Sequence, residues 1–388
     1  MQLTSQMIKD KAKALGIDDL AIGNIERFDK APALLSVKNY FPGCKSVIAL
    51  LMRIPRGSYR GIEEGTHWHN YTFYSYNRLN TVIRPRLTYA LSCFIEDHGW
   101  EAVPHYPAVP ERNPTRPPVG PGRYPPDIVP STRMVAAGTG LGEVGHAKVF
   151  LNKKFGPRLR LGLIFTDAVL EPDPILETGT ICMQCGACVR ECPGNAVPPV
   201  KDKSKWLEID YGEKKIHYGD VHMGRCVLTH HGQNNTISPF HKKALPNMAF
   251  DAANSDMTEE EAYRICYPLA QATWSSYSEN KDNAVIEYYH YIMAHVDYFA
   301  ICGARGCIRA CMNALEKAGR IENTFKEPFY RKKSWLMKYT PDPDKIDKGV
   351  NQFRETYLEK HYPGVTAGEY GMPEKPCSST EGSHLDGL

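Results

Sequence analysis

The sequence predicts an α+β protein built in parts, and three observations carry that prediction. About the first hundred residues mix helical apolar spacing with short apolar runs. Residues 104–130 are saturated with proline and glycine. A tight cysteine run, CMQCGACVRECPGNA at residues 182–196, opens the second part. The boundaries read as a mixed helix-and-strand core over 1–170, a cysteine-bearing domain over 171–320 with a long insertion at about 230–300, and a wrapping tail over 321–388.

The elements follow in order. In MQLTSQMIKDKAKALGIDDLAIG, Met7, Ala12, Leu15 and Ile17 fall near one face of an amphipathic helix. KSVIALLM, residues 45–52, suits a buried strand entered through the turn FPGC. VIRPRLTYALSCFIEDHGW, residues 82–100, has helical spacing after its proline and ends at His98-Gly99; EAVPHYP then reads as a strand. The stretch 104–130 can be neither helix nor central strand. It is either a flexible linker or the rigid wall of a pocket, and Tyr106, Arg116, Arg123, Tyr124 and Asp127, ill-suited to a spacer, favour the wall. GTGLGEVG is glycine-rich but lacks the strand-then-helix setting of a dinucleotide fingerprint. AKVFLN, the turn KKFGPR and LRLGLIFTD read as a hairpin, and residues 283–303 as a helix running into a second cysteine group. In residues 64–78, His67 and His69 flank Trp68 ahead of Tyr71, Phe73, Tyr74 and Tyr76. That segment admits metal binding, aromatic lining of a pocket or ordinary packing. No internal repeat or low-complexity block appears.

The totals narrow the class. At 388 residues, 42% apolar and 23% charged, the composition is that of a globular protein with ample room for a core. A net charge of +3 without a Lys/Arg stripe argues against nucleic acid as a partner. No apolar run approaches the ~20 residues of a membrane helix. The start shows neither an apolar signal core nor a twin-arginine pair, so a cytoplasmic protein is expected.

Twelve cysteines in such a protein are expected to be thiols or metal ligands, not structural disulfides. Cys182, Cys185, Cys188 and Cys192, followed by proline, have the spacing that cups an iron–sulfur cluster in bacterial ferredoxins, where the fourth cysteine serves the other cluster. A zinc site or chance is the lesser alternative. Cys302, Cys307 and Cys311 form the second group. By the pseudo-symmetry of such domains, Cys311 completes the set of Cys182, Cys185 and Cys188, while Cys302 and Cys307 join Cys192. The eighth ligand is Cys226 or Cys266. Cys226, in polar sequence nearer the first run, is preferred, since Cys266 in YRICYPLA looks like a buried small apolar residue. The expectation is a two-cluster, bacterial-ferredoxin-like domain carrying two 4Fe–4S clusters.

Together these residues resemble the family of epoxyqueuosine reductases and reductive dehalogenases, which are corrinoid-dependent iron–sulfur reductases. The resemblance rests on KAKALGIDDLAIG, FPGCKSVIALLM, GTGLGEVGHAKVFLNKKFGPRLRLGLIFTD, the cysteine run, the lone Cys226 and the final cysteine group, in that order over roughly residues 1–315. GLGE and FGPRLRLG look closer to the dehalogenase branch, although the export leader of respiratory dehalogenases is missing and the second cysteine group is unusual. The resemblance implies a nitroreductase-like α/β core that holds cobalamin through backbone and loop contacts, here at Gly140, Leu141 and Gly142, without a histidine on cobalt. It implies an anaerobic oxidoreductase in which a low-potential donor, ferredoxin or flavodoxin, feeds electrons through the clusters to Co(I), which reduces a small organic substrate by cleaving a carbon–halogen bond. The family's proton donor is a tyrosine or an aspartate, which puts Tyr124, Asp127 and Tyr106 forward. Arg158 and Arg160 are candidates for the cation that lowers a tyrosine's pKa or binds the leaving anion.

Two rivals stand beside this reading. An epoxyqueuosine-reductase-like enzyme acting on a tRNA nucleoside predicts a basic surface. A cluster-bearing electron carrier or corrinoid activator predicts no substrate pocket, against which the long pre-cluster half argues. A homodimer is compatible with either enzyme reading.

Overall fold

The computed structural model describes residues 3–32, 36–64, 69–106, 116–231, 252–264, 266, 302–327 and 329. Helix α1 (Ser5–Ala14) begins where the Thr4 hydroxyl accepts the Met7 N–H at 3.2 Å. It buries Ile8 and Ala12, one turn apart on the face that meets the sheet. Strand β1 (Asp19–Asn24) follows, and then β2 (Ser46–Arg53), whose first seven residues are all buried. A strand buried on both sides belongs at the centre of a sheet. β2 lies between β1 and β6 (Leu159–Thr166), and β3 (Ala102–Pro104) closes the order β1–β2–β6–β3.

Every pairing in this sheet is antiparallel. β2 and β6 pair along their whole length, from Ser46–Thr166 to Arg53–Leu159. One face carries Ile22, Ile48, Leu50, Met52 and Ile164 against Leu91 and Ile95 of helix α2 (Arg84–Glu96) and against Tyr59 and Tyr71. The opposite face carries Ala21, Val47, Ala49, Leu51, Leu161, Leu163 and Phe165 against Val135, Ala136 and Ala137 of helix α3 (Thr132–Gly138). Helix α2 has Pro85 in its first turn, where the missing N–H costs nothing, and the chain leaves it through Gly99 at φ 84°.

The expected hairpin between residues 147–152 and 159–167 does not form as such. β5 (Phe150–Leu151) pairs backwards with β4 (Glu143–Val144), while Asn152 and Gly156 close the intervening turn with a mutual pair of backbone bonds, 3.0 and 2.8 Å. β6 departs to the central sheet because its residues are apolar on both faces, and only a place between two strands and two helix layers buries both.

Beyond β6 come the cysteine loop, a hairpin of β7 (Trp206–Asp210) and β8 (Lys215–Gly219), and helix α4 (Met223–His230). Helix α5 (Cys307–Lys317) follows a short helical turn, Cys302–Arg305. Much of the expected insertion and tail, and the expected helix up to residue 301, lie outside the described residues. Among those described, no helix is long and apolar enough to cross a membrane.

Candidate functional site

The cysteine run is held in a loop that regular structure cannot supply. Gln184 (φ 52°), Gly186 (φ 70°) and Asn195 (φ 47°) are left-handed, and one helical turn, Ala187–Arg190, separates the first two from the third. Glu143, 2% exposed, anchors the loop from below by accepting the Ile181 N–H at 3.1 Å and the Cys182 N–H at 2.6 Å. Burial raises the pKa of this carboxyl, and the backbone N–H groups aimed at it oppose the rise. The Ala196 N–H points at the Cys192 sulfur at 3.3 Å. Such N–H groups are one of the means by which a protein stabilises cluster thiolates.

The thiols fall into two sets that feel one another. Burial, then Cys182 and Cys185, pushes the Cys188 thiol up to about 12. Cys311, on α5, is raised by burial and then by Cys182, Cys188, Cys307 and Cys185. In the other set, burial and then Cys192 push Cys226, on α4, up to about 11. Cys302 is raised by burial, then by Cys307, Cys226 and Cys192. Cys307 responds to Cys226 and Cys192 and also to Cys188, so the sets meet at Cys188 and Cys307. Cys266 stands apart: packed near Val227, Leu228, Ala252 and Ala262, its thiol is pushed up to about 12 by burial alone.

Among the described residues, no group of three or more His, Cys, Asp or Glu side chains forms a site that could hold a metal ion. Buried thiols that oppose each other's ionisation nonetheless suit a polynuclear centre. Iron supplies the positive charge that holds such sulfurs as thiolates, and an all-sulfur donor set is the one iron–sulfur clusters take. The short helix Arg60–Glu64 braces the second set: Glu63, 1% exposed, is paired with Arg309 of α5, with Nη2 to Oε1 at 2.5 Å.

An aromatic and cationic wall adjoins that set. Tyr71 is wholly buried, and a side chain at Gly303, next to Cys302, would come 2.9 Å from its hydroxyl. Its ring stands 4.9 Å from Tyr59 and 5.7 Å from Tyr76, and Tyr76 stands 5.6 Å from His230. The Arg160 guanidinium lies 4.4 Å over the Tyr76 ring, its Nε donating to the Ser75 carbonyl at 2.7 Å. Burial raises the phenol pKa of both Tyr59 and Tyr71, and Arg160 opposes the rise. The Tyr59 hydroxyl is buried without a hydrogen-bond partner among the described residues, an arrangement native proteins keep for a reason. His230 lies four residues after Cys226 on α4, so wall and thiol share one helix face.

The other expected site residues are placed differently. Tyr106 is 74% and Tyr124 36% exposed, and the Asp127 side chain is 86% exposed and paired with Arg116 at 3.4 Å. Arg158 is 1% exposed and donates to the Ile54 carbonyl at 2.9 Å and Asn323 Oδ1 at 2.6 Å. It ties β6 to the segment after α5, and its Nε is buried with no hydrogen-bond partner among the described residues. Gly140, Leu141 and Gly142 are occupied by the fold itself. A side chain at Gly140 would fall onto the Pro174 carbonyl and one at Gly142 onto the Leu151 carbonyl, while Leu141 is in the core. Their glycine content reflects close backbone approach within the chain. His67 lies outside the described residues. A cavity of about 300 Å³ between Lys148, Asp220, His222 and Glu259 is at the small end for ligand sites and too small for a corrinoid. Sequence reasoning missed Tyr59, Arg84 and His230, none of which belongs to a spacing pattern.

One buried group in this half makes pH a probe of the fold. His105 is 6% exposed, its ring tilted 5.3 Å from that of Tyr40, and neither ring nitrogen has a hydrogen-bond partner among the described residues. Burial, then the Arg84 charge, lowers its pKa from 6.5 to about 4. Between those values the unfolded chain binds the proton and the folded chain does not. Stability is therefore undiminished by this group above pH 6.5 and falls by about 3 kcal/mol as pH drops to 4. Urea unfolding across that window, with and without His105→Phe, is expected to show the dependence vanish in the variant.

No protein-family model matches the chain. Over 70 residues it is 37% identical to the tetrachloroethene reductive dehalogenase of Desulfitobacterium hafniense, a match covering 18% of this chain and 13% of that protein. Over 64 residues it is 36% identical to the tetrachloroethene reductive dehalogenase of Sulfurospirillum multivorans, covering 16% and 13%. The chain thus matches about an eighth of the length of these curated relatives. Among solved structures, a catabolic reductive dehalogenase in complex with 3-bromo-4-hydroxybenzoic acid aligns over 87% of this chain and 43% of its own, at 14% identity and a TM-score of 0.41. The epoxyqueuosine reductase of Streptococcus thermophilus aligns over 50% and 53%, at 15% identity and a TM-score of 0.34. The relatives found are reductases of the superfamily that the sequence motifs resemble.

Proposed function

We propose that this chain is a corrinoid-dependent iron–sulfur reductase, of the reductive dehalogenase kind, acting on a small organic substrate. The observation that carries the reading is the chain of neighbours from one thiol set to the next and on to the wall of Tyr71, Tyr76, Arg160 and His230. In this reading Cys182, Cys185, Cys188 and Cys311 hold one 4Fe–4S cluster, and Cys192, Cys226, Cys302 and Cys307 hold the other. Cys307 feels the charge of Cys188 across the two sets, which supports reading them as a two-step path for electrons from a low-potential donor.

A corrinoid, when bound, supplies a strongly reducing cobalt centre, which no side chain can provide. The residues that fit it are those of the wall. Tyr71, Tyr76, Arg160 and His230 line a largely apolar region with a few polar groups next to the second set, and the Tyr59 hydroxyl has no hydrogen-bond partner among the described residues. Two electrons and one proton replace a halide by hydrogen. We assign the proton to the buried tyrosines and not to the exposed Tyr106, Tyr124 and Asp127, because a proton delivered inside the protein is not exchanged with water before it is used. Arg160 lowers the cost of the phenolate left behind.

The test is the visible spectrum of protein purified without oxygen from a corrinoid-supplied host, followed by halide release from haloaromatics and haloalkenes with a low-potential donor. Iron–sulfur absorption with cobalamin bands and halide release is the expected result. A protein that assembles clusters and refuses cobalamin overturns the reading in favour of an electron carrier. Cobalamin binding with salt-dependent tRNA binding and no halide release moves it to the epoxyqueuosine branch.

A further inference from the structure

Helix α5 serves both thiol sets at once, and its cysteines stand one turn apart. Cys307 and Cys311 are separated by four residues and so share one face of the helix. Two contacts show where each goes. A side chain at Gly306, next to Cys307, would come 2.9 Å from Cδ of Pro193, the residue after Cys192. Cys311 packs with Cys182 against Leu151, Ile181 and Leu315. A slide of α5 by a single turn would bring Cys311 to the place of Cys307 and leave the first set without its fourth thiol. Apolar packing is non-directional and guards poorly against such a slide.

The opposite face of α5 carries the guard. Arg309 lies midway between the two cysteines in sequence, which turns it away from them, and Glu316 follows two turns later on its own face. They meet the helical segment made of Arg56–Tyr59 and Arg60–Glu64. Arg309 engages both carboxylate oxygens of Glu63, with Nη2 to Oε1 at 2.5 Å. Arg56 Nη2 donates to Glu316 Oε2 at 2.8 Å, and the Arg56 guanidinium lies 4.3 Å over the Phe325 ring. Arg56, Glu63 and Arg309 are buried, and the Glu316 side chain is 15% exposed.

The early residue of each segment meets the late residue of the other, so the two run antiparallel, and each contributes one arginine and one glutamate. A slide by one turn would unpair both and leave poorly solvated charges uncompensated. A reversed direction would set Arg309 against Arg56 and Glu316 against Glu63. Only the observed register and direction satisfy all four groups.

We propose that Arg56, Glu63, Arg309 and Glu316 form a register lock, four positioning residues that deliver Cys307 to one thiol set and Cys311 to the other. Buried ion pairs add little net stability over apolar side chains of similar volume, and fixing a register is their best-attested use. This deepens the reductase reading, and rests on it only for what the thiols hold.

The experiment compares the full chain, purified without oxygen, with variants of the lock. Replacing all four residues by apolar ones (Arg56→Met, Glu63→Leu, Arg309→Met, Glu316→Leu) is expected to leave the melting temperature of the metal-free chain at or above that of the parent. The same variant is expected to hold no more than about half of the parent's iron. A merely structural role would move stability and iron together. Arg56→Glu alone sets two carboxylates face to face and is expected to lose most of the iron, and Glu316→Arg added to it is expected to restore the iron. Register is also read without metal, by mild oxidation of the chelator-treated full chain and mass-spectrometric mapping of its disulfides. In the parent, Cys311 is expected to link to Cys182, Cys185 or Cys188. In the apolar variant, links from Cys311 to Cys192 or Cys226 are expected beside these.

An apolar variant with parental iron and a parental disulfide pattern overturns the proposal, and so does failure of Glu316→Arg to rescue Arg56→Glu. If the apolar variant does not fold, that rescue decides alone. A parent that assembles no cluster sinks the two-cluster reading, and its disulfide pattern against that of the variant still judges the lock. A parent with both clusters whose apolar variant keeps them sinks the lock alone.

Discussion

Cys226→Ala, assembled without oxygen, is expected to carry about half the iron of the parent chain, roughly four irons in place of eight, and to lose one of two 4Fe–4S signals. Cys266→Ala is expected to keep all of it. The contrast follows from placement. Cys226 lies on α4 among thiols of the second set, and Cys192 is the first charge to act on it after burial. Cys266 is 1% exposed in an apolar cluster, with burial the sole cause of its raised pKa. Iron and sulfide analysis with low-temperature electron paramagnetic resonance of the reduced protein reads the result. Half-loaded Cys266→Ala beside fully loaded Cys226→Ala would reverse the assignment. The Ala exchange at Cys266 removes only one buried sulfur, so its own cost is that of a small cavity.

Gly142→Ala is expected to destabilise the fold by about 3 kcal/mol before any cofactor is considered, the upper range for overpacking. The new methyl would meet the Leu151 carbonyl oxygen, and the Phe150 ring at 2.7 Å, in the small sheet of β4 and β5. A backbone carbonyl cannot swing aside as a side chain can. Gly212→Ala is the control. Its φ is 80° with open space around it, so only the left-handed backbone opposes the change, about 1 kcal/mol. Urea unfolding of both variants checks the difference. If Gly142→Ala folds with parental stability and loses only corrinoid, the glycine-rich segment is a cofactor contact after all.

Much of the fold was legible because local chemistry and burial agree. The six-residue apolar run VIALLM suits a strand buried on both faces, and β2 places it at the centre of the sheet. Proline in the first turn and glycine after the last mark the ends of α2 in the sequence as in the structure. The amphipathic start likewise becomes α1. The supposed hairpin failed for a reason no local pattern carries. The turn at 152–156 is real, but β6 is claimed by β2 and β3 far away in the chain, because its two apolar faces need covering.

The candidate site divides in the same way. Cysteine spacing by itself put forward the thiols at 182, 185, 188 and 192 as ligands of a metal centre, since few other uses need sulfur at those intervals. The pseudo-symmetry of such domains assigned Cys311 to the first set and Cys302 and Cys307 to the second, while the eighth position stood open between Cys226 and Cys266. The grouping of the wall beside the second set was decided by tertiary structure: the sequence offered Tyr71 and Tyr76 as possible lining and Arg160 as a candidate cation, without joining them. Tyr59, Tyr71, Arg84 and His230 come from four helical segments and Arg160 from a strand, and only packing brings them to one region. The loop residues that looked chemical, Tyr106, Tyr124 and Asp127, stand at the surface, while the neighbouring Ile128 and Val129 are the ones buried. A ligand motif is written in sequence because its spacing is the geometry. A pocket wall is not, because its geometry exists only after distant strands and helices have packed.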